Sequence, residues 1–451
     1  MVAMNRVSAP ILLIIIGTLF AVLAVFAKVS LLIIGLGAIV AVLVIFVKLE
    51  LGVAVLTFSA VLDGLLRTIG GFVGSYWDEM VYVLVIIALI WRLAKEKKDK
   101  FNLTLVWWAF VTFLVVSLIS GLLSNLPYTH ILIAIRSILQ GSIIFFVIIN
   151  AGFDEKTVRH LTSLLILCAV IVAGYGLWQR QTSAFTPQGW LDKKELYNVT
   201  RATSFLGSPN ATAGFLILIL PVSLGMSFKV KRVLSKFIFI AFTVVIFMGL
   251  YATLNRASWI GLGLGLVVFA IASGKRWLIT VFVAGLIGAV MLLPDLAQRF
   301  STFFSDEFAV NDATYGRSFR WETALSLFYK NPFFGVGPGG FGGAVSYGIQ
   351  AYGGLYSDNY YLLILSNYGL FGILSFFFLI VSAVREAFKG LKAAFGNEKY
   401  LVAGLIGGMV AFVTHMMFEN LWDITPLIIS FWICAGLAAS FAYGLRRKNE
   451  D

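Results

Sequence analysis

Four arginines and one aspartate are the residues of this chain best suited to chemistry. Arg201 opens "RATSFLGSPNATAGFLILILP", Arg256 follows Asn255 in "ATLNRASWIGLGLG", and Arg317 and Arg320 share "GRSFRW". Each adjoins Gly, Ser or Asn, where backbone can approach a ligand closely. Guanidinium groups bind phosphate oxygens bidentately and do not lose their charge, so such a set suits a pyrophosphate. The alternative for each arginine is to snorkel to lipid phosphates or to pair with Asp306, Glu307, Asp312 or Glu322. Asp358 sits in "YSDNYYLLILSNYGLFG", where a polar loop runs into an aromatic, leucine-rich segment. Desolvation there raises a carboxyl pKa and nearby arginines lower it. Ionised, Asp358 can accept a proton from an attacking hydroxyl while arginines hold a departing phosphate. It is equally a good N-cap for a helix starting at Asn359, and the two roles are compatible.

The elements that must carry these residues are membrane spans. Of 451 residues, 60% are hydrophobic and 12% charged, a balance no water-soluble surface allows. Apolar runs long enough to cross a bilayer recur along the chain. We expect an all-α polytopic membrane protein of about 12–14 transmembrane helices, forming a single integral membrane domain over 1–451. The expected spans are 9–27, 30–47, 51–66, 80–94, 103–123, 130–150, 161–179, 209–228, 237–253, 257–273, 277–293, 359–380, 401–418 and 426–444. The first lacks a small-residue cleavage site and reads as a retained span.

Charge then assigns sides. The chain carries 34 Lys and Arg against 22 Asp and Glu, a net charge of +12. The basic clusters "RLAKEKKDK", "KVKR", "GKR" and "RRK" fall in short loops on one side, as the positive-inside bias requires of cytoplasmic loops. That pattern is a topology signal, so nucleic acid is excluded as a partner and membrane lipids are implied. Both termini are expected in the cytoplasm and the four arginines at the outer face. Residues 294–358 then form the largest extracytoplasmic loop. Within it "FRWETALSLFYK" has helical spacing that lets Phe319, Ala324, Leu327 and Phe328 share a face. "NPFFGVGPGGF" then ends the helix. A long structured loop on a helical scaffold is more often functional than not.

Other signals are discounted. "GLGLGL" lies inside a span with no strand before it, and "GVGPGG" lacks the Gly-Lys-Ser/Thr ending of a P-loop. His130, His160 and His415 lack metal-ligand spacing, and no metal or cofactor is expected. His415 and Glu419, one turn apart near an outward end, can touch a substrate but read rather as a packed polar pair, and Arg136 reads as an interior-facing residue able to contact a donor. Cys168 and Cys434 read as small core residues.

Taken in order, "SFLGSPNATAGFLILILP", "LNRASWIGLGLG", "GRSFRWETALSLFYKNPFFGVGPGGF" and "SDNYYLLILSNYGLFG" resemble the O-antigen ligase and Wzy-type O-antigen polymerase superfamily. The blocks cover roughly 200–372, and the teichuronic acid polymerases of Gram-positive bacteria look like the nearest branch. The resemblance implies a metal-independent, GT-C-type glycosyltransferase in the bacterial cytoplasmic membrane. It implies an undecaprenyl-diphosphate-linked glycan donor and a glycan or lipid-linked acceptor. Family arginines that bind the donor diphosphate map onto Arg256 and onto Arg317 or Arg320, with Arg201 as a further candidate. Family ligases commonly carry His-Asn where this chain has Asp358-Asn359, which removes histidine as base and leaves Asp358 in its place or another residue in that role. Asn255, Asn359, Trp321 and Tyr356 are candidate substrate contacts. Tyr315, Tyr347, Tyr352 and Tyr360 join the aromatics that can stack on sugars or anchor at the interface. A transporter or flippase for the same lipid-linked sugar is the main rival, and a scaffold role the third.

Overall fold

Apolar sequence in a lipid core must satisfy every backbone N–H and C=O within its own segment, and helices do this locally. The computed structural model describes residues 48–95, 101–182, 200–292, 316–348 and 355–443. The expected spans 9–27 and 30–47 lie outside these residues, as do Tyr315, Tyr352, Asp306, Glu307 and Asp312.

The helices are α1 (Leu49–Thr57), α2 (Ser59–Ile69), α3 (Gly71–Lys95), α4 (Leu105–Leu123), α5 (Tyr128–Leu139), α6 (Ser142–Asn150), α7 (Glu155–Thr182), α8 (Pro209–Lys229) and α9 (Val233–Thr253). They continue as α10 (Arg256–Ala272), α11 (Trp277–Leu292), α12 (Arg317–Lys330), α13 (Ala344–Gly348), α14 (Tyr360–Ala393), α15 (Glu398–His415) and α16 (Thr425–Tyr443). Among the described residues α4, α7, α8, α9, α14 and α16 are each long and apolar enough to cross a membrane, and α10 is a shorter apolar helix. The protein is an all-α polytopic membrane protein, with six such helices among the described residues, or eight if two bent pairs count as spans.

Those bent pairs correct two expectations. The segment 51–66 is not one straight helix: α1 and α2 meet at 73°, as a broken span or a re-entrant loop. Gly64 in α2 is pressed onto the chain at Phe205, where a Cβ would lie 2.4 Å from the Phe205 carbonyl oxygen. The segment 130–150 bends by 42° between α5 and α6. At that bend a Cβ on Gly141 would meet Ile428 of α16 at 2.2 Å.

Helix α8 is the inner post, packed on α9 and α15, with α15 packed in turn on α10. Small residues permit this closeness. A Cβ on Gly408 would lie 1.9 Å from the Leu218 carbonyl oxygen, and one on Gly265 would lie 2.4 Å from that of Gly407. Helix direction decides what collects at each end. The C-termini of α7, α9 and α15 and the N-termini of α8, α10 and α14 gather at one end. At the other, the buried Lys229 of α8 is paired with Glu398 of α15, Arg159 lies 4.0 Å from the same carboxylate, and Asn397 donates to the Lys229 carbonyl (3.1 Å).

Helix α14 is broken inside. Gly369 has φ 66° and ψ −161°, and the loop segment "NPFFGVGPGGF" docks into the break. Val336 N donates to Ser366 O (2.9 Å), Gly337 N to Asn367 O (3.0 Å) and Leu370 N to Pro332 O (2.8 Å). The Asn367 amide both accepts from Phe341 N (2.7 Å) and donates to Phe341 O (2.8 Å). Ser120 of α4 donates to Phe334 O at 2.6 Å. Backbone groups freed by the break are thus satisfied by protein, as non-helical chain at membrane depth requires.

Candidate active site

Arg201 is set by the helix end beneath it. Gln179 Oε1 of α7 accepts from Ser204 N (2.7 Å) and Thr203 N (3.2 Å). Ala202 N donates to Ala252 O at 3.0 Å, and Thr212 Oγ1 donates to Thr203 O at 2.6 Å. So held, Arg201 Nε donates to Thr253 O and Nη2 to Asn210 Oδ1, both at 3.1 Å.

Asn210 stands in the first turn of α8, after Ser208 and Pro209, a favoured cap followed by a favoured first residue. Its Oδ1 also accepts from Asn255 Nδ2 at 2.6 Å, and its Nδ2 donates to Glu419 Oε1. Asn255 serves twice, since its Oδ1 caps α10 by accepting from Ser258 N (2.9 Å). Arg256 is therefore the first residue of α10 and borders this network directly.

Glu419 joins the loop side to it. The same Oε1 accepts from Arg317 Nη2 at 3.2 Å. On α12, Arg317, Arg320, Ala324 and Leu327 recur at helical spacing, and Ala324 and Leu327 are buried against Phe341. The inward stripe of α12 therefore carries both arginines. Phe319, expected on that stripe, is 40% exposed because it lies a third of a turn off it. Arg320 Nη1 pairs with Asp358 Oδ2.

Asp358 is not the helix cap. Asn359 caps α14, its Oδ1 accepting from Tyr361 N (3.1 Å) and Leu362 N (3.2 Å). Asp358 instead takes left-handed backbone (φ 48°), which turns its carboxylate to Arg320. Ser204 (φ 49°) and Leu254 (φ 52°) are the other non-glycine residues with positive φ among those described. All three lie within three residues of a side chain in the network. Backbone strain of this kind collects where surrounding structure over-determines it, commonly at functional sites.

Electrostatics follow from enclosure. Burial pushes the Asp358 carboxyl up, with Arg320 and Arg317 pulling it back down. Burial and then the Asp358 charge push Glu419 up, against Arg317 and Arg201. Two carboxylates thus share an enclosed cluster with Arg201, Arg317 and Arg320, and Arg256 begins α10 next to Asn255 at its edge. Such a set can bind an anion, and it can accept a proton beside it.

A second tier fixes the loops. Asn420 Nδ2 donates to Gly342 O (2.5 Å) and its Oδ1 accepts from Ser357 Oγ (2.8 Å). Tyr356 bridges to Gly342 and its ring lies 5.5 Å from that of Tyr347. Tyr356 and Tyr347 are exposed, as sugar contacts need. Tyr360 is not: it is fully buried against Phe376 and Trp422. Trp321 is half-buried, and its indole N–H meets no acceptor among the described residues. Arg136 lies apart from the site and pairs with Glu79 at 2.8 Å.

The expected His415–Glu419 pair does not form. Helix α15 ends at His415, so the chain turns before Glu419, whose carboxylate goes to Asn210 and Arg317. His415 is fully buried with neither ring nitrogen bonded among the described residues. Sequence reasoning missed Asn210, and it noticed Glu419 only as a partner of His415 near the outward end. Asn210 lies inside a quoted block but is uncharged, and Glu419 lies far along the chain from every other member.

A comparison with curated proteins finds no match. Residues 241–377 match the family model described as O-antigen ligase, a span that holds Asn255, Arg256, Arg317, Arg320, Asp358 and Asn359. Residues 241–377 are thus similar to an O-antigen ligase domain, and this likeness supports the O-antigen ligase and polymerase superfamily.

Proposed function

We propose that the protein transfers or polymerises oligosaccharide from an undecaprenyl-diphosphate-linked donor onto an acceptor sugar hydroxyl at the outer face of the bacterial cytoplasmic membrane. The family domain supports the coarser part of this reading, an O-antigen ligase or polymerase type of function in cell-surface glycan biosynthesis. One observation carries the finer part: the linked set Arg201–Asn210–Glu419–Arg317, with Asn255–Arg256 and Arg320–Asp358 at its edges.

The chemistry asks for little beyond that set. The acceptor oxygen attacks the anomeric carbon, the new glycosidic C–O bond forms, and the bond from that carbon to the diphosphate oxygen breaks with inversion. Asp358 takes the hydroxyl proton. The leaving diphosphate carries away the electron pair, and guanidinium groups held in place beforehand stabilise its charge without reorganising. A lipid diphosphate is already a competent leaving group, so orientation and charge stabilisation suffice without divalent metal. We assign the sugar contacts to Asn255, Asn359, Trp321 and Tyr356.

Purified protein in lipid vesicles, given an undecaprenyl-diphosphate oligosaccharide, is expected to lengthen or transfer the glycan in the presence of a chelator and without nucleotide. Arg256→Ala and Arg317→Ala are expected to abolish this while the protein stays monodisperse. Movement of the donor across the bilayer with no new glycosidic bond would mark a flippase instead. Full turnover in both arginine variants would remove the clamp.

A further inference from the structure

Building on the proposed diphosphate clamp, we infer that Glu419 occupies the donor diphosphate's place in the resting protein and is exchanged for it on binding. The donors gathered around this carboxylate are those an anionic phosphate oxygen would use. Its Oε1 accepts from Arg317 Nη2 at 3.2 Å and from Asn210 Nδ2. One bond further, Asn210 Oδ1 collects Arg201 Nη2 (3.1 Å) and Asn255 Nδ2 (2.6 Å). Donor groups from four elements, the Arg201 segment, α8, the head of α10 and α12, thus converge on one buried carboxylate and its amide partner. A buried anion-binding cluster without its ligand needs an internal counter-ion, because unpaired buried charge is costly.

Glu419 is suited to leave. It lies in the turn between α15 and α16, outside both helices, so its side chain can swing without breaking a helical bond. The backbone on either side is fixed independently of the carboxylate. Tyr360 N donates to Met416 O at 2.9 Å, and Asn420 is held between Gly342 and Ser357. Burial and then the Asp358 charge work against an ionised Glu419, and Arg317 and Arg201 hold it, so the carboxylate is kept charged by the arginines it would release. A diphosphate, with several negative oxygens and bidentate geometry, outcompetes one carboxylate for the Arg317 guanidinium. Exchange also places a released carboxylate next to Asp358, so the resting protein keeps its arginines ordered and neutralised until donor arrives.

The inference predicts an unusual sign. A residue that merely scaffolds the site weakens ligand binding when altered, whereas a residue that competes with the ligand strengthens it. Binding of farnesyl diphosphate, a soluble prenyl diphosphate, would be measured on purified full-length protein in nanodiscs. Glu419→Gln keeps the shape and an acceptor for Asn210 but not the charge. It is expected to tighten binding by about threefold to tenfold, while Glu419→Asp, which keeps the charge, is expected not to. Unchanged or weaker binding in a monodisperse Glu419→Gln protein overturns the exchange and leaves the clamp standing. No binding to wild type or Glu419→Gln, with Arg317→Ala indistinguishable from both, overturns the clamp itself. A structure of the wild-type protein with farnesyl diphosphate gives a reading that needs no variant. Glu419 turned off Arg317 supports the exchange, and Glu419 still bonded to Arg317 beside the diphosphate refutes it.

Discussion

Asp358 owes its freedom to its neighbour. Both residues of "DN" are good helix caps, and only one can occupy the cap position. Asn359 takes it, and the left-handed turn at Asp358 then directs the second side chain to Arg320. From sequence alone the two were interchangeable, because cap preference does not rank Asp against Asn. If Asp358 is the base, Asp358→Asn should lower turnover by about 10²–10⁴-fold, the usual contribution of a positioned base. Donor affinity should move far less, because the arginines remain. Initial rates set beside direct donor binding separate the two, and wild-type turnover in Asp358→Asn would reduce the carboxylate to a partner for Arg320. Asp423 offers a test of another kind. Desolvation pushes its carboxyl up to about 7, against a hydrogen bond from Ala344 N that lowers it. The folded protein therefore binds more protons than the unfolded chain between the ordinary carboxylate range and about 7. Its stability contribution is full below that window and is lost as pH rises through it. In detergent the melting temperature should fall from pH 5 to pH 8, and Asp423→Asn should flatten that fall by several degrees. An unaltered slope in Asp423→Asn would place the titration elsewhere.

At the level of elements, apolar runs were legible and their breaks were not. Hydropathy finds a stretch that is apolar enough, and the mean over 51–66 or 130–150 is unaffected by a bend. The bent helices pack closely on residues far away in sequence, Gly64 on Phe205 and Gly141 on Ile428, and such contacts leave no mark on a hydropathy mean. The same holds for α14. "NPFFGVGPGGF" is readable as a helix breaker, yet nothing local says that it enters a break in another helix. Gly369 is where the two meet. Its φ of 66° disfavours any side chain, and an added Cβ would lie 2.3 Å from the Phe333 carbonyl carbon. Gly369→Ala should therefore cost more than about 2 kcal/mol, by strain and by expelling the docked segment. Gly263, inside α10 with open space around it, is the control, and there Ala should be neutral or mildly stabilising. Melting in detergent and transfer activity should both fall in Gly369→Ala and neither in Gly263→Ala. Equal behaviour of the two would mean that the docked loop does not depend on the break.

For the molecule as a whole, helix direction ties the site to one end and the described basic loops, 229–232 and 274–276, to the other, and this link was visible in the charge pattern before any contact was known. Arginines that looked scattered along the chain meet because α8, α10 and α14 begin, and α7, α9 and α15 end, at the same level. The relation between ends is a property of the fold, while the side of the membrane each faces rests on the positive-inside bias. That bias predicts the site end outward. Tyr329, at the end of α12, is 73% exposed, and Phe395, in the α14–α15 connection, is 71% exposed. Cysteines placed there should react alike in detergent, and the native Cys168 and Cys434 are buried and give no background. In intact protoplasts or spheroplasts a membrane-impermeant maleimide should label Tyr329→Cys but not Phe395→Cys, and permeabilisation should equalise them. The opposite order would put the four arginines at the cytoplasmic face, where no acceptor glycan waits, and the glycosyl-transfer reading would fail with the positive-inside assignment that orients it.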